Sequence, residues 1–247
     1  MSETPFRLFL RLTAKEGEFD QLVAALGRIV HVAGEVESCA QYEVFANADA
    51  RSIVAVETFR TVDGLQDLVS RIAGMREGML QHAMHGTVTT IGDPGQELIT
   101  GAKEAGWDRF DIARPLRGLD RLRETPGGRL DLQTIVFVRI RDADAFIDAA
   151  EAWSEHLGAD RGVLYHRLSI TDASHACLLT GFADQAAIPA MVSAEGYRKK
   201  LRAVVDAMDV QDVVVCGLPA GATKDYYDSW GATYYEPEVG FSRLNAL

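Results

Sequence analysis

Few side chains in this chain combine proton chemistry with an apolar setting, and those few mark where chemistry would reside. Glu57 interrupts Ile53-Val54-Ala55-Val56-Glu57-Thr58-Phe59, a run otherwise suited to a buried strand. Arg7 and Arg11 alternate with Leu8, Leu10 and Leu12, so both guanidinium groups belong to one face of a strand. Arg139 sits in the corresponding strand of the second half, Leu132 to Ile140. A charge in such a strand belongs either to a pocket or to an exposed edge. His166 follows Tyr165 in another strand-like segment, His175 opens the next, and His82 and His85 flank the start of a further one. Imidazole titrates near neutrality and is the obvious proton acceptor, although a surface or capping role is the plainer reading of any single histidine. Glu57 has the best claim among the acids, with pairing to a neighbouring arginine as an equally good structural reading. Glu57, His166 and Arg11 are therefore the candidates for proton handling or anion stabilisation. Phe59, Tyr42, Tyr165, Arg139 and His85 are the candidates for shaping a substrate pocket.

The charge balance narrows what such a pocket would hold. The formal net charge of -11 is spread over both halves: Lys+Arg against Asp+Glu is 14 to 18 over residues 1–123 and 11 to 18 over 124–247. No basic run with interleaved aromatics is present, which speaks against nucleic acid and anionic lipid as partners. Nor does any apolar run approach the ~20 residues of a membrane span. The opening Met1-Ser2-Glu3-Thr4-Pro5 lacks the basic and apolar parts of an export signal, which predicts a cytoplasmic protein. Cys39, Cys177 and Cys216 are odd in number, far apart and set in apolar strand-like segments, so they read as buried small hydrophobes in a reducing compartment. No Cys-x-x-Cys or Cys/His cluster suggests a metal, and no cofactor is expected. A small molecule is the expected ligand.

The elements that must position these residues occur twice. Gly92-Asp93-Pro94 … Gly106 … Gly118-Leu119-Asp120-Arg121-Leu122 returns as Gly217-Leu218-Pro219 … Gly231 … Gly240-Phe241-Ser242-Arg243-Leu244. Upstream, Tyr42 answers Tyr165, Phe59 answers Phe182 and Leu65 answers Ile188, at an offset of 123. A solenoid period runs at roughly 20 to 50 residues, so this is a duplicated domain, divided into residues 1–124 and 125–247 near Thr125-Pro126-Gly127-Gly128.

In the first copy, a period-two strand over 6–12 precedes a helix striped by Phe19, Leu22, Val23, Leu26, Ile29 and Val30. Strands at 39–45 and 52–60 follow, then a helix carrying Leu65, Leu68, Val69 and Ile72, with Met75 and Met79 on a further turn. A last strand runs from about His85 to Ile91. The second copy repeats this order with strands at 132–140, 163–170, 176–182 and 210–216. The expected fold is α+β: two ferredoxin-like β-α-β-β-α-β repeats forming an intramolecular, pseudo-dimeric α+β barrel. Each four-stranded sheet carries its helices on one face, and the pocket is expected in a hollow between the two bare faces. After each last strand comes an extension of about 30 residues. Its aromatics (Gly106 to Phe110, and Asp225 to Trp230 with Tyr234-Tyr235) suit a common packing role, a cavity lid, or contact with a second molecule.

These residues resemble the dimeric α+β barrel superfamily, and within it the antibiotic-biosynthesis-monooxygenase type. The carriers are Lys15-Glu16-Gly17-Glu18-Phe19, Glu37-Ser38-Cys39-Ala40-Gln41-Tyr42-Glu43 and Val56-Glu57-Thr58-Phe59-Arg60-Thr61-Val62-Asp63-Gly64-Leu65. Members of that family usually place an acidic residue two positions before an aromatic at the end of the third strand, here Glu57 and Phe59. The second copy keeps Phe182 but has Thr180 at the acidic position. The resemblance implies cofactor-independent oxidation of an aromatic or quinol-type small molecule by dioxygen. Its alternatives are a non-catalytic, stress-linked binding protein and an isomerase or lyase of a small hydroxylated ring. The haem-degrading pattern wants an Asn in the first strand and a Trp where Phe59 stands, and it fits poorly. Self-association of the chain through helices or extensions is also compatible with the resemblance.

Overall fold

A computed structural model describes residues 5–93, 95–104 and 107–247 of the chain; Met1 to Thr4 and the landmarks Pro94 and Gly106 lie outside them. The first half runs β1 (Phe6–Ala14), α1 (Phe19–Gly34), β2 (Cys39–Asn47), β3 (Ser52–Phe59), α2 (Val62–Arg71), α3 (Ala73–His82) and β4 (Ala83–Ile91). Its extension folds into α4 (Gln96–Glu104) and β5 (Arg109–Asp120). The second half repeats the order as β6 (Leu132–Ile140), α5 (Ala143–Gly158), β7 (Val163–Asp172), β8 (His175–Phe182), α6 (Ile188–Ser193), α7 (Glu195–Asp206) and β9 (Met208–Cys216). Its extension forms α8 (Gly221–Asp228) and β10 (Thr233–Ser242). The chain is thus α+β, with two β-α-β-β-α-β units of ferredoxin-like order.

By backbone contacts the chain divides into residues 1–112 with 235–247, and residues 113–234. In the first unit the antiparallel order is β4-β1-β3-β2-β10, and in the second β9-β6-β8-β7-β5. Each unit therefore takes its fifth strand from the extension that follows the other half. This finding explains the repeated Gly-x-x-Arg-Leu. A Cβ at Gly118 would come 2.4 Å from the His166 carbonyl oxygen, and one at Gly240 would come 2.5 Å from that of Tyr42. The arginine then donates to carbonyls at the end of a helix: Arg243 to Gly34, Val36 and Cys39, and Arg121 to Gly158 and Asp160. A cation at that end also suits the helix dipole. Leu122 and Leu244 are fully buried beside them. Gly118→Ala and Gly240→Ala are each expected to cost about 1–3 kcal/mol through overpacking, read as a lower urea midpoint; unchanged midpoints would remove the docking role.

In the first unit, Leu8, Leu10, Leu12, Tyr42, Val44, Ile53, Ala55 and Phe59 face the helices and join one core with Leu22, Leu26, Ile29, Leu65, Leu68 and Met79. Every residue of β3 is buried, on both faces. The opposite face carries Arg7, whose Nε donates to Thr58 Oγ1 at 2.9 Å and whose Nη2 donates to Gln41 Oε1 at 2.9 Å. Gln41 in turn donates to Glu43 Oε2 at 2.6 Å. The three cysteines are buried, as their setting suggested. No helix among the described residues is long and apolar enough to cross a membrane.

Candidate functional site

Glu57 lies in β3 between Leu8 on β1 and Tyr42 on β2, with which it is directly paired in register. All three side chains point toward the helices, where they floor a cavity of about 130 Å³ together with Leu10, Val88 and Thr90. Ile29 of α1, Leu65, Leu68 and Val69 of α2, Ile72, and Arg76 and Met79 of α3 form the roof. Leu98 and Gly101 of α4 and Trp107 complete the wall. An apolar cavity near this size has room for a benzene-sized ring.

This cavity lies on the helix-covered face of the sheet, whereas the sequence placed the expected pocket on the bare face. The reason is strand parity: Glu57 and Tyr42 share the side of Leu8 and Leu10, whereas Arg7 and Arg11 alternate to the other.

Burial in this apolar setting raises the Glu57 pKa from 4.5 to about 8, with a hydrogen bond from the Tyr42 hydroxyl working weakly the other way. Burial also drives the Tyr42 hydroxyl well above its usual range, helped by the adjoining Glu57. At neutral pH the pair is an uncharged carboxylic acid beside a phenol. A carboxyl titrating near 8 is suited to exchange protons with a weakly acidic ligand.

Trp107 closes the cavity from the extension. Its ring lies over Gly86, where a Cβ would come 2.9 Å from ring carbons. Asp108 fixes the approach through its N–H to the Gly86 carbonyl at 2.9 Å, and its carboxylate accepts from the Gly86 N–H at 2.6 Å. Gly86→Ala should push the indole aside and red-shift Trp107 emission, measured against Trp107→Phe; an unchanged spectrum would mean that the ring is not held there.

The other expected residues do not converge on this cavity. Arg11 stands on the opposite face of β1. Phe59 is buried in the core near Glu57 but outside the lining. His85 is largely exposed, 3.7 Å from Asp108, and belongs to the face of β4 turned away from Val88 and Thr90. Arg139 is also exposed, with its Nη2 2.8 Å from Asp209 Oδ2, a surface ion pair across the β6–β9 ladder. His82 and His175 pair with Glu18 and Asp172 at 2.8 and 3.0 Å.

His166 is wholly buried in the second unit. Its Nδ1 is 3.0 Å from Thr180 Oγ1 and its Nε2 3.1 Å from Ser154 Oγ. Burial lowers its pKa to about 3, so it is neutral at ordinary pH. The register also corrects the repeat alignment by one residue. His166 pairs with Thr180 as Tyr42 pairs with Glu57, so His166, not Tyr165, is the counterpart of Tyr42. Tyr165 is buried on the other face. Around His166, Trp153 stands where the first unit has Ile29, edge-on to the imidazole at 5.1 Å, and Tyr197 stands where it has Ile72. Thus the second unit fills this position with aromatic rings.

Two lining residues, Arg76 and Thr90, carried no readable signal, and Trp107 was foreshadowed only by the aromatic extension.

No family model matches the chain, and no curated protein matches it. Solved structures do. A candidate monooxygenase from Lactobacillus acidophilus is similar at a TM-score of 0.56 and 15% identity, covering 86% of this chain and 92% of that one. Another from Fusobacterium nucleatum is similar at a TM-score of 0.60 and 11% identity, covering 87% and 91%. At such identities the likeness carries the fold and not the activity. With two β-α-β-β-α-β units and these neighbours, the chain has the fold of the dimeric α+β barrel superfamily.

Proposed function

We propose that this protein is a cofactor-independent monooxygenase acting on an aromatic or quinol-type small molecule in the cavity of the first unit. The observation that carries the reading is the Glu57 carboxyl, buried in an apolar, ring-sized cavity and hydrogen-bonded to Tyr42. The names of the structural neighbours point the same way.

For a single-ring hydroquinone the net reaction is C₆H₆O₂ + O₂ → C₆H₄O₃ + H₂O, and the substrate supplies all the electrons. Ionised Glu57 takes a phenolic proton, leaving an electron-rich anion. That anion passes its electrons to dioxygen, a C–O bond forms at a ring carbon, and the proton returned by Glu57 completes a hydroperoxide. Loss of water then breaks the O–O bond and takes the hydrogen of that ring carbon, giving a hydroxyquinone. Tyr42 orients the carboxyl, and the apolar walls with Trp107 exclude water. Arg11, His166, Arg139 and His85 have no part in this scheme; His166 serves the packing of the second unit. The scheme belongs to the first unit, since in the second Thr180 stands at the position of Glu57 and offers no carboxyl.

Oxygen uptake with a panel of hydroquinones and anthrones, after chelation, tests the reading. Uptake above autoxidation is expected. No uptake across a panel whose members bind the cavity would turn the reading to a non-catalytic binding protein.

A further inference from the structure

Arg76 is out of place in its surroundings. Ile72, Arg76 and Met79 follow one another at helical spacing on the stripe that roofs the cavity, a stripe that packing ordinarily gives to apolar residues. The counterparts in the second unit are Tyr197, Leu201 and Val204, all of them part of that unit's apolar core or packed against it. Where Trp153, His166 and Tyr197 pack together, this position is leucine; beside the open cavity of the first unit it is arginine.

The Arg76 Nε is buried, and among the described residues no acceptor lies within hydrogen-bonding distance of it. A buried guanidinium N–H without a partner costs free energy that a bound acceptor would recover. The rest of the lining offers no fixed negative charge at neutral pH, because Glu57 is held in its uncharged form. Arg76 is half-buried and lines the cavity, so its unpartnered Nε is open to an acceptor on whatever occupies that space.

We infer that Arg76 is a specificity residue that selects ligands carrying an acidic oxygen, a carboxylate or an ionised phenol, on a single aromatic ring. The ring fills the apolar volume between Leu8, Leu68 and Val88, and the anionic oxygen accepts from Arg76. This deepens the oxidative reading of the same cavity, because an anion fixed at one end sets which carbon of the ring lies against Glu57. A charge-assisted bond of this kind in an apolar cavity discriminates strongly against a neutral analogue.

The test is binding, independent of turnover. Benzoate and benzamide are titrated into the full-length protein at pH 6.5 by calorimetry, with wild type, Arg76→Met and Arg76→Lys. Benzoate is expected to bind at least tenfold more tightly than benzamide. Arg76→Met, which keeps the apolar stem, is expected to abolish that preference, benzoate losing at least tenfold more affinity than benzamide. Arg76→Lys should recover part of the preference, since the charge returns without the planar fork. Equal binding of the two probes to wild type, or a preference that survives in Arg76→Met, overturns the role of Arg76 while leaving the cavity reading in place. Failure of both probes to bind wild type overturns the inference together with the cavity reading beneath it.

Discussion

Glu57→Gln is expected to lower oxygen-dependent turnover by roughly 10²- to 10⁴-fold, the usual worth of a positioned general base. The substitution keeps the size and the hydrogen-bonding capacity toward Tyr42, so ring binding and folding should survive. What disappears is the ability to accept a proton. In the wild type, the active form is ionised Glu57, a small fraction at neutral pH because burial holds the pKa near 8. Turnover per bound substrate should therefore rise about tenfold per pH unit below 8 and level off above it. A profile that falls through this range would assign Glu57 to the acid and not the base. Tyr42→Phe is a milder counterpart: it removes the hydroxyl that favours ionised Glu57, so the same profile should shift to higher pH.

Stability should carry the imprint of two buried titratable groups acting in opposite directions. Glu57 keeps its proton in the folded state up to about pH 8, whereas an exposed glutamate releases it near 4.5. Between these values the folded state binds the extra proton, so stability falls as pH rises. The gap corresponds to roughly 5 kcal/mol at most. His166 runs the other way. In the unfolded chain it gains a proton below about 6.5, and in the folded protein only near 3. Between these values the unfolded state binds more protons, so stability falls as pH falls, by a similar amount.

The two slopes cancel between pH 4.5 and 6.5, which predicts a plateau there and a loss on either side. Urea midpoints measured across pH should show it. Glu57→Gln should flatten the alkaline limb and, with the cancellation gone, let the rise from about pH 3 continue to 6.5 in place of the plateau. His166→Gln should flatten the acid limb and let the fall begin already at about pH 4.5, with some overall loss from the Ser154 and Thr180 hydroxyls it leaves behind. A single variant that alters both limbs would mean that the groups are not the independent sites described.

The helices and inner strands were legible because their periodicity follows directly from burial. Leu8, Leu10 and Leu12 alternating with Arg7 and Arg11 gave β1, and the stripe from Leu22 to Val30 gave α1. Glu57 was legible as a charge with no reason to sit in an apolar strand. The alignment of Tyr42 with Tyr165 went astray because identity of residue type outweighed register. A slip of one residue moves a strand side chain to the opposite face, and so matching Tyr42 to Tyr165 overlooks His166 as its true counterpart.

The strands of the extensions were hidden by Pro115 and Pro237, which read against a paired strand. Both sit where the register shifts at a bulge, the setting in which a ladder tolerates proline. Arg76 was illegible for another reason. Its sequence neighbourhood, Gly74-Met75-Arg76-Glu77-Gly78, is polar enough for an exposed helix, and only the packing of α3 on the sheet turns it toward the cavity.

The most direct test of the account is an NMR titration of the Glu57 side-chain carboxyl carbon in protein labelled at glutamate, with Glu57→Gln to assign the signal. A midpoint near pH 8 is expected. A midpoint in the ordinary range near 4.5 would mean that Glu57 is hydrated and ionised at neutral pH, and the proton-handling site proposed for this cavity would be contradicted.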